Sequence, residues 1–474
     1  MDVSLGSRIS DLPRELQGEI ILRVGAVSMA VVRYAILGTA IQWNFKDIED
    51  MEVIYTSGVD FFAWVLVRTT NNASLVDISQ AAKAGDADIV KLLVDQGRTD
   101  DICDGLVAGG HLELLKWARF DAYGNVRCKW TSWTCALAAR SGRLNILKWL
   151  KFPDTPEFPD ASGKGCPWDE RTCSEAAGGG WLDVLKWLRS SFGVSGEECP
   201  WDESTCAMAA EGGHLDVLKW ARFGTGAEHQ GCNWDEDTCA MAARGGHFDV
   251  LKWARESGCP WNWRVCSNAA YGGHLNILQW ARENECDWDE ITCMYAAQGG
   301  YLNILKWARS FGCPWDAETC NAAARGGHLD VLRWARENGC DCDENTCAEA
   351  ARKGHLEILK WLRFGAGCEW DKWTCANAAL GGHLDVLKWL RFGTIDCAEQ
   401  HKCPWSTETC AFAAMGGHLD VLRWARENGC PWDEYTCSSA AQNHHIDVLK
   451  WARSQGCPWN DLTREYAAVI GYTE

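Results

Sequence analysis

The octet CPWDEYTC, residues 430–437, sets two cysteines seven positions apart around a Trp and an Asp-Glu pair. Nearly the same octet recurs down the chain, so it is either a metal site built many times or a packing unit. A cysteine opens a repeat at 128, 166, 199, 232, 259, 286, 313, 340, 368, 403, 430 and 457. The interval is 27 residues from 232 to 340 and again from 403 to 457, and it is longer elsewhere. The shared pattern is C-P-W-D-E-x-T-C-x-x-A-A-x-G-G-H-L-D-V-L-K-W-A-R-E-N-G. Weaker copies lie upstream, CDGLVAGGHLELLKWAR (103–119) and ISQAAKAGDADIVKLLVDQG (78–97). The chain thus holds 13 repeats with both halves and a last half-repeat at 457–474.

Each repeat reads as two short helices. The first starts at Asp-Glu, where Asp is a good N-cap and acidic side chains suit the positive end of the helix dipole. It runs through Thr-Cys-x-x-Ala-Ala and stops at Gly-Gly. The second is H-L-D-V-L-K-W-A-R. In the repeat opening at Cys232 its apolar residues are Phe248, Val250, Leu251, Trp253 and Ala254, which make one broad face. Two helices of this length make no core alone, but stacked side by side they bury a continuous one. The expected fold is all-α, a solenoid of stacked helix pairs. The Trp of the second helix (117, 149, 187, 220, 253, 280, 307, 334, 361, 389, 424, 451) is expected to be its main buried filler, with Leu92 in that place in the first repeat. A second Trp follows the opening Cys in most repeats, and Cys342 replaces it once.

The segment AAEGGHLDVLKW (209–220) and its copies resemble the ankyrin repeat. The resemblance runs over residues 71–474, in register throughout. Thr-Cys stands where that family has Pro-Leu, and several connections are about six residues shorter than in its usual unit of about 33 residues. The shortening falls where the family extends a β-hairpin finger. The resemblance implies a protein-binding scaffold whose partners dock on the concave side.

Within a repeat, Cys259, Cys266 and His274 could in principle ligate zinc, which wants four tetrahedral ligands. The repeat supplies its own test. The histidine position is filled by Arg143, Trp181, Tyr301 and Asp86, and a ligand cannot become Arg or Trp and keep its site. The second Cys becomes Ile78 in the first repeat. The cysteines therefore read as small, buried packing residues, and no metal or other cofactor is expected. The inserted loop CAEQHKC (397–403) carries three donors, Cys397, His401 and Cys403, and reads as a solvated loop.

The repeats also serve as an alignment of the chain with itself. On the first helix the residue two before the second Cys and the residue after Ala-Ala are seven apart, on the face opposite the stack. These rows vary in charge and size. From them Glu211, Arg244, Tyr271, Gln298, Arg325, Arg352, Trp373, Leu380, Met415 and Tyr435 are the expected partner-binding residues. Free drift of exposed positions is the competing reading, and exposed aromatics and Met favour an interface. The longer connections at 151–165, 191–198, 223–231 and 392–402 leave one edge of the stack, as either a second binding surface or tolerated loop growth.

The formal net charge of −19 argues against a broad nucleic-acid footprint or an anionic membrane surface. The apolar stretch 25–43 carries Arg33 near its middle and reads as a buried helix rather than a span. The polar start, without a signal-peptide core, points to the cytoplasm or nucleus, where 26 cysteines would stay mostly reduced. Residues 1–70 do not repeat. DLPRELQGEIILRV (11–24) resembles the start of an F-box, which would make the chain a substrate receptor docking on a ubiquitin-ligase adaptor. The other reading of this segment is a helical cap for the first repeat. No catalytic constellation stands apart from the repeat, and no enzymatic activity is expected.

Overall fold

The computed structural model describes residues 78–85, 87–95, 99, 101–119, 126–152, 165–190, 198–224, 231–393, 403–469 and 471–472. The segment 1–70, with its F-box-like start and the 25–43 stretch, lies outside them. So do most of the four longer connections, Asp86, Cys397, His401 and the side chains of Ile78 and Leu92.

Among the described residues the secondary structure is helical. Thirteen helix pairs run from Ile78–Ala84 with Ala87–Asp95 to Glu434–Gln442 with Ile446–Ser454, followed by the single helix Asp461–Val469. Residues 1–234 and 235–474 are two compact bodies, and each is a stack. In the first, the helices Ile78–Ala84, Ile102–Gly109, Ser132–Arg140, Glu170–Gly178 and Glu203–Glu211 pack each on the next. In the second, the same contact runs from Glu236–Gly245 through each first helix to Asp461–Val469. Every first helix also packs on the second helix of its own pair. This is the solenoid the repeat pattern predicts.

Small side chains let the first helices approach closely. Thr205, Cys206, Ala209 and Ala210 are all fully buried, as are their counterparts Thr292, Cys293, Ala296 and Ala297. Asp starts these helices as expected: the Asp202 carboxylate accepts the Ser204 N–H at 3.2 Å, and Asp316 accepts that of Glu318 at 3.1 Å. The second helix contributes a Val-Leu or Ile-Leu pair and an Ala or Leu, such as Val331, Leu332 and Ala335, all at 0% exposure. Each such Val or Leu contributes about 1.5–3 kcal/mol by burial.

The tryptophans correct one expectation. They are not the interior filler. Trp117 is 37% exposed, and nearly all the others in that row are half-buried; Trp149, at 7%, is the exception. The core is filled instead by Cys, Ala, Val, Ile and Leu. The second-helix Trp meets the Trp of its own repeat's opening edge to face, as in Trp288–Trp307 at 5.8 Å and Trp432–Trp451 at 6.0 Å. Such a pair adds about 0.5–1.5 kcal/mol beyond its area. An indole on the flank leaves the first-helix row free to close on small side chains.

Two joints recur between neighbouring repeats within each body. The first uses the opening cysteine, and Cys259 uses every group it has. Its N–H bonds to the Ala254 carbonyl at 3.0 Å, its carbonyl accepts from Arg255 at 3.2 Å, and its thiol donates to the Asp235 carbonyl at 3.3 Å. The same thiol bond is 3.2 Å from Cys286 to Asn262 and 3.4 Å from Cys313 to Asp289. The preceding arginine also lies over the next Trp, with Arg282 over Trp288 at 4.3 Å and Arg309 over Trp315 at 4.2 Å.

The second joint uses the histidine. Its Nε2 reaches the carbonyl of the residue after Ala-Ala in the preceding repeat: His214 to Gly178 at 3.2 Å, His274 to Arg244 at 3.1 Å, His383 to Arg352 at 3.1 Å. A carbonyl only accepts, so Nε2 carries the proton. The bond supplies a partner at a helix C-terminus, where carbonyls lack one. Glycine is required beside it. Gly246 has φ +80°, and a Cβ there would lie 2.5 Å from the His274 ring.

Candidate protein-interaction face

The first helices turn one side into the stack and the other outward. In Lys372–Leu380, Thr374, Cys375, Ala376, Ala378 and Ala379 are buried, while Trp373 is 41% exposed and Leu380 half-buried. The two outward residues are seven apart, so the helix period itself sets them on one face. Tyr435 is the most open aromatic of the row at 66%, and Tyr271 is 39% exposed. Arg244 and Arg352 are exposed; Glu211, Gln298, Arg325 and Met415 are half-buried.

Several of these residues meet across neighbouring repeats of the second body. The Arg244 guanidinium lies 4.8 Å over the Tyr271 ring, which meets Tyr295 edge to face at 5.2 Å. Arg325 bonds to Glu349 at 3.0 Å and Glu318 at 2.9 Å. The Glu349 carboxylate above all, and then Glu318, hold the guanidinium more firmly protonated than usual. Trp373 tilts against Phe412 at 5.9 Å. Lys372 pairs with Glu408 at 2.6 Å and, with the Ser406 hydroxyl, pulls that carboxyl down to about 2. Among the described residues Arg352 has no ion-pair partner. Glu211 lies in the first body.

Phe412, Tyr295 and Glu349 are functional candidates that the two sequence rows miss. They share a third outward row, two residues after the second Cys, filled elsewhere by Glu175, Met208 and Asn377. That row varies between repeats as much as the other two do, so the signal was present. An aromatic at that position fills the gap between the residues before and after it.

The cysteines and histidines are accounted for by the joints between repeats. Among the described residues no group of three or more His, Cys, Asp or Glu is placed to hold a metal ion, and no helix is long and apolar enough to cross a membrane. The outward rows of the first helices carry aromatic, long apolar and cationic side chains.

No curated protein matches the sequence. A family model does: residues 320–363 match ankyrin repeats (many copies). That stretch spans one repeat-to-repeat junction, and the same helix pair and joints recur in both bodies, so the repeats are similar to ankyrin repeats.

Proposed function

We propose that this chain is a binding scaffold that holds a partner protein on the outward face of its first helices. Ankyrin repeats are a protein–protein interaction module. The observation that carries the choice of face is the cluster Trp373, Leu380, Phe412, Met415 and Tyr435 on three consecutive first helices. Trp373 and Tyr435 are exposed there beside half-buried Leu380, Phe412 and Met415, while the other side of the same helices is mainly Ala, Cys and Thr. Exposed aromatics and Met of this kind are enriched in interfaces. Arg352, without an ion-pair partner among the described residues, sits one repeat before the cluster, so the preferred partner surface is apolar with an acidic group at its flank. Twenty-three free thiols among the described residues support a reducing compartment, the cytoplasm or nucleus.

The test is affinity capture with the full chain against the variant carrying Trp373→Ala, Tyr435→Ala and Met415→Ala. The proposal expects unchanged helicity and thermal unfolding with loss of the captured partner. An unchanged partner set on a folded variant removes this face from consideration.

A further inference from the structure

Two consecutive repeats of the second body carry an exposed Phe where other repeats carry Glu. The second helices Leu356–Phe364 and Leu384–Phe392 end on these rings, at 62% and 54% exposure. Glu256, Glu283, Glu337 and Glu427 end the equivalent helices of four other repeats and are all exposed. A solvated carboxylate therefore serves the fold at this position. Two neighbouring phenyl rings there add an apolar patch that the stack does not require, and such patches mark contact surfaces.

Each ring meets the second-helix tryptophan of the next repeat edge to face, Phe364 with Trp389 at 6.3 Å and Phe392 with Trp424 at 5.8 Å. Both indoles are half-buried, and neither Nε1–H has a hydrogen-bond partner among the described residues. The flank thus carries two aromatic notches, one repeat apart. Lys360 and Lys388 stand one turn before the two Phe residues and so on the same side of their helices. Lys360 pairs with Glu357 at 2.6 Å, while Lys388 is exposed with no ion-pair partner among the described residues.

The spacing of the notches selects their occupant. Packed helices lie about 8–10 Å apart, and equivalent rings of successive repeats follow that interval. A polyproline II segment advances about 9.3 Å per turn of three residues, which matches it. Like-facing neighbours on an α-helix recur at about 5–6 Å, and those on a strand at about 6.8 Å, so neither places successive anchors in both notches. We propose that the flank binds a proline-rich segment in the polyproline II conformation, with prolines three residues apart seated on Phe364–Trp389 and Phe392–Trp424. Pyrrolidine rings pack on aromatic side chains, as in other grooves that read this conformation. The free indole N–H groups of Trp389 and Trp424 donate to the backbone carbonyls that this conformation leaves unbonded. Lys388 takes an acidic residue beside the second proline. The surface lies on the second helices, so it goes beyond the outward face of the first helices and is tested separately from it.

The test titrates the full-length chain into fluorescein-labelled decaproline carrying a glutamate at each end, and reads anisotropy. A Gly-Ser peptide of the same length with the same ends is the control. The parent should give a saturable rise with decaproline and none with the control. The chain carrying Phe364→Glu and Phe392→Glu bears the residue of the other repeats, so it should keep its helicity and thermal unfolding. Its affinity for decaproline should fall by at least about tenfold, as loss of two central anchors requires. Lys388→Gln should remove the advantage of the glutamate-ended peptide over uncharged decaproline. No rise with decaproline at millimolar chain, an equal rise with the Gly-Ser peptide, or undiminished binding by the folded Phe variant would overturn the proposal. So would self-association of the parent that the Phe variant abolishes without any binding of decaproline, which would make the patch a contact between copies of this chain.

Discussion

The indole Nε1–H of Trp181 donates to the backbone carbonyl of Arg140 at 2.8 Å, the bond that histidine Nε2 makes at the same place in other repeats. A Trp in a histidine row thus preserves the joint, because both rings carry an N–H at a similar reach. Trp181→His should therefore leave stability within about 0.5 kcal/mol, the usual range for a tolerated exchange. His274→Ala should cost about 1–2 kcal/mol, for one hydrogen bond and its packing against Gly246. Urea unfolding of the two variants checks the contrast.

The arginine that ends each second helix is a joint only where the next repeat supplies its indole. Arg309 lies over Trp315 and donates to the carbonyl of Cys313. Arg309→Ala should cost about 1–3 kcal/mol, from a cation–π contact and a charge-assisted hydrogen bond. Lysine should recover only part of it, lacking the planar fork. Arg336→Ala should change stability by less than about 0.5 kcal/mol, since its one ion pair reaches an exposed Asp341. Equal losses at the two positions would refute this division of roles.

Thr346 and Thr292 hold the same place in the repeat with different surroundings. The Thr346 hydroxyl donates to Asn321 at 2.6 Å and accepts from the Asp343 N–H at 3.2 Å, whereas the Thr292 hydroxyl is buried without a partner among the described residues. Replacing Thr346 by Val should cost about 1–3 kcal/mol, because it leaves buried groups unpaired. Thr292→Val should be neutral or stabilising. Thermal denaturation of the pair decides the matter.

Burial lowers the affinity of His355 for a proton below its ordinary value, against the opposing effect of its bond to the Arg325 carbonyl. The unfolded chain then binds that proton more readily than the folded one. The contribution of this residue is fully present above the ordinary value of 6.5 and is lost as pH falls through the lowered folded value. His355→Gln should show a shallower loss of denaturant midpoint between pH 7.5 and 5 than the parent. Parallel curves would contradict it.

Much of this was legible in the sequence. The repeat count, the helix pair, the Asp N-cap and the glycine stop all follow from local residue chemistry repeated in register. What the pattern could not assign was which recurring side chain fills the interior. Trp is the largest apolar residue in each repeat, yet its place on the flank depends on two indoles and an arginine meeting from different segments. The role of Cys259 was half visible: its burial follows from a small apolar side chain, while its thiol bond to Asp235 needs the relative placement of two repeats. On the outward face, Trp373 and Leu380 follow from helix period, whereas Phe412 needed a third row to be compared.

The account rests on the recurring thiols being sealed joints between repeats. Timed alkylation of the reduced native chain with an isotope-coded reagent, followed by full labelling after denaturation, reads this residue by residue. The account predicts Cys342 labelled first, with Cys206, Cys259, Cys266, Cys313, Cys410 and Cys430 protected until the chain unfolds. Rapid and even labelling of those six cysteines in the native chain would contradict it.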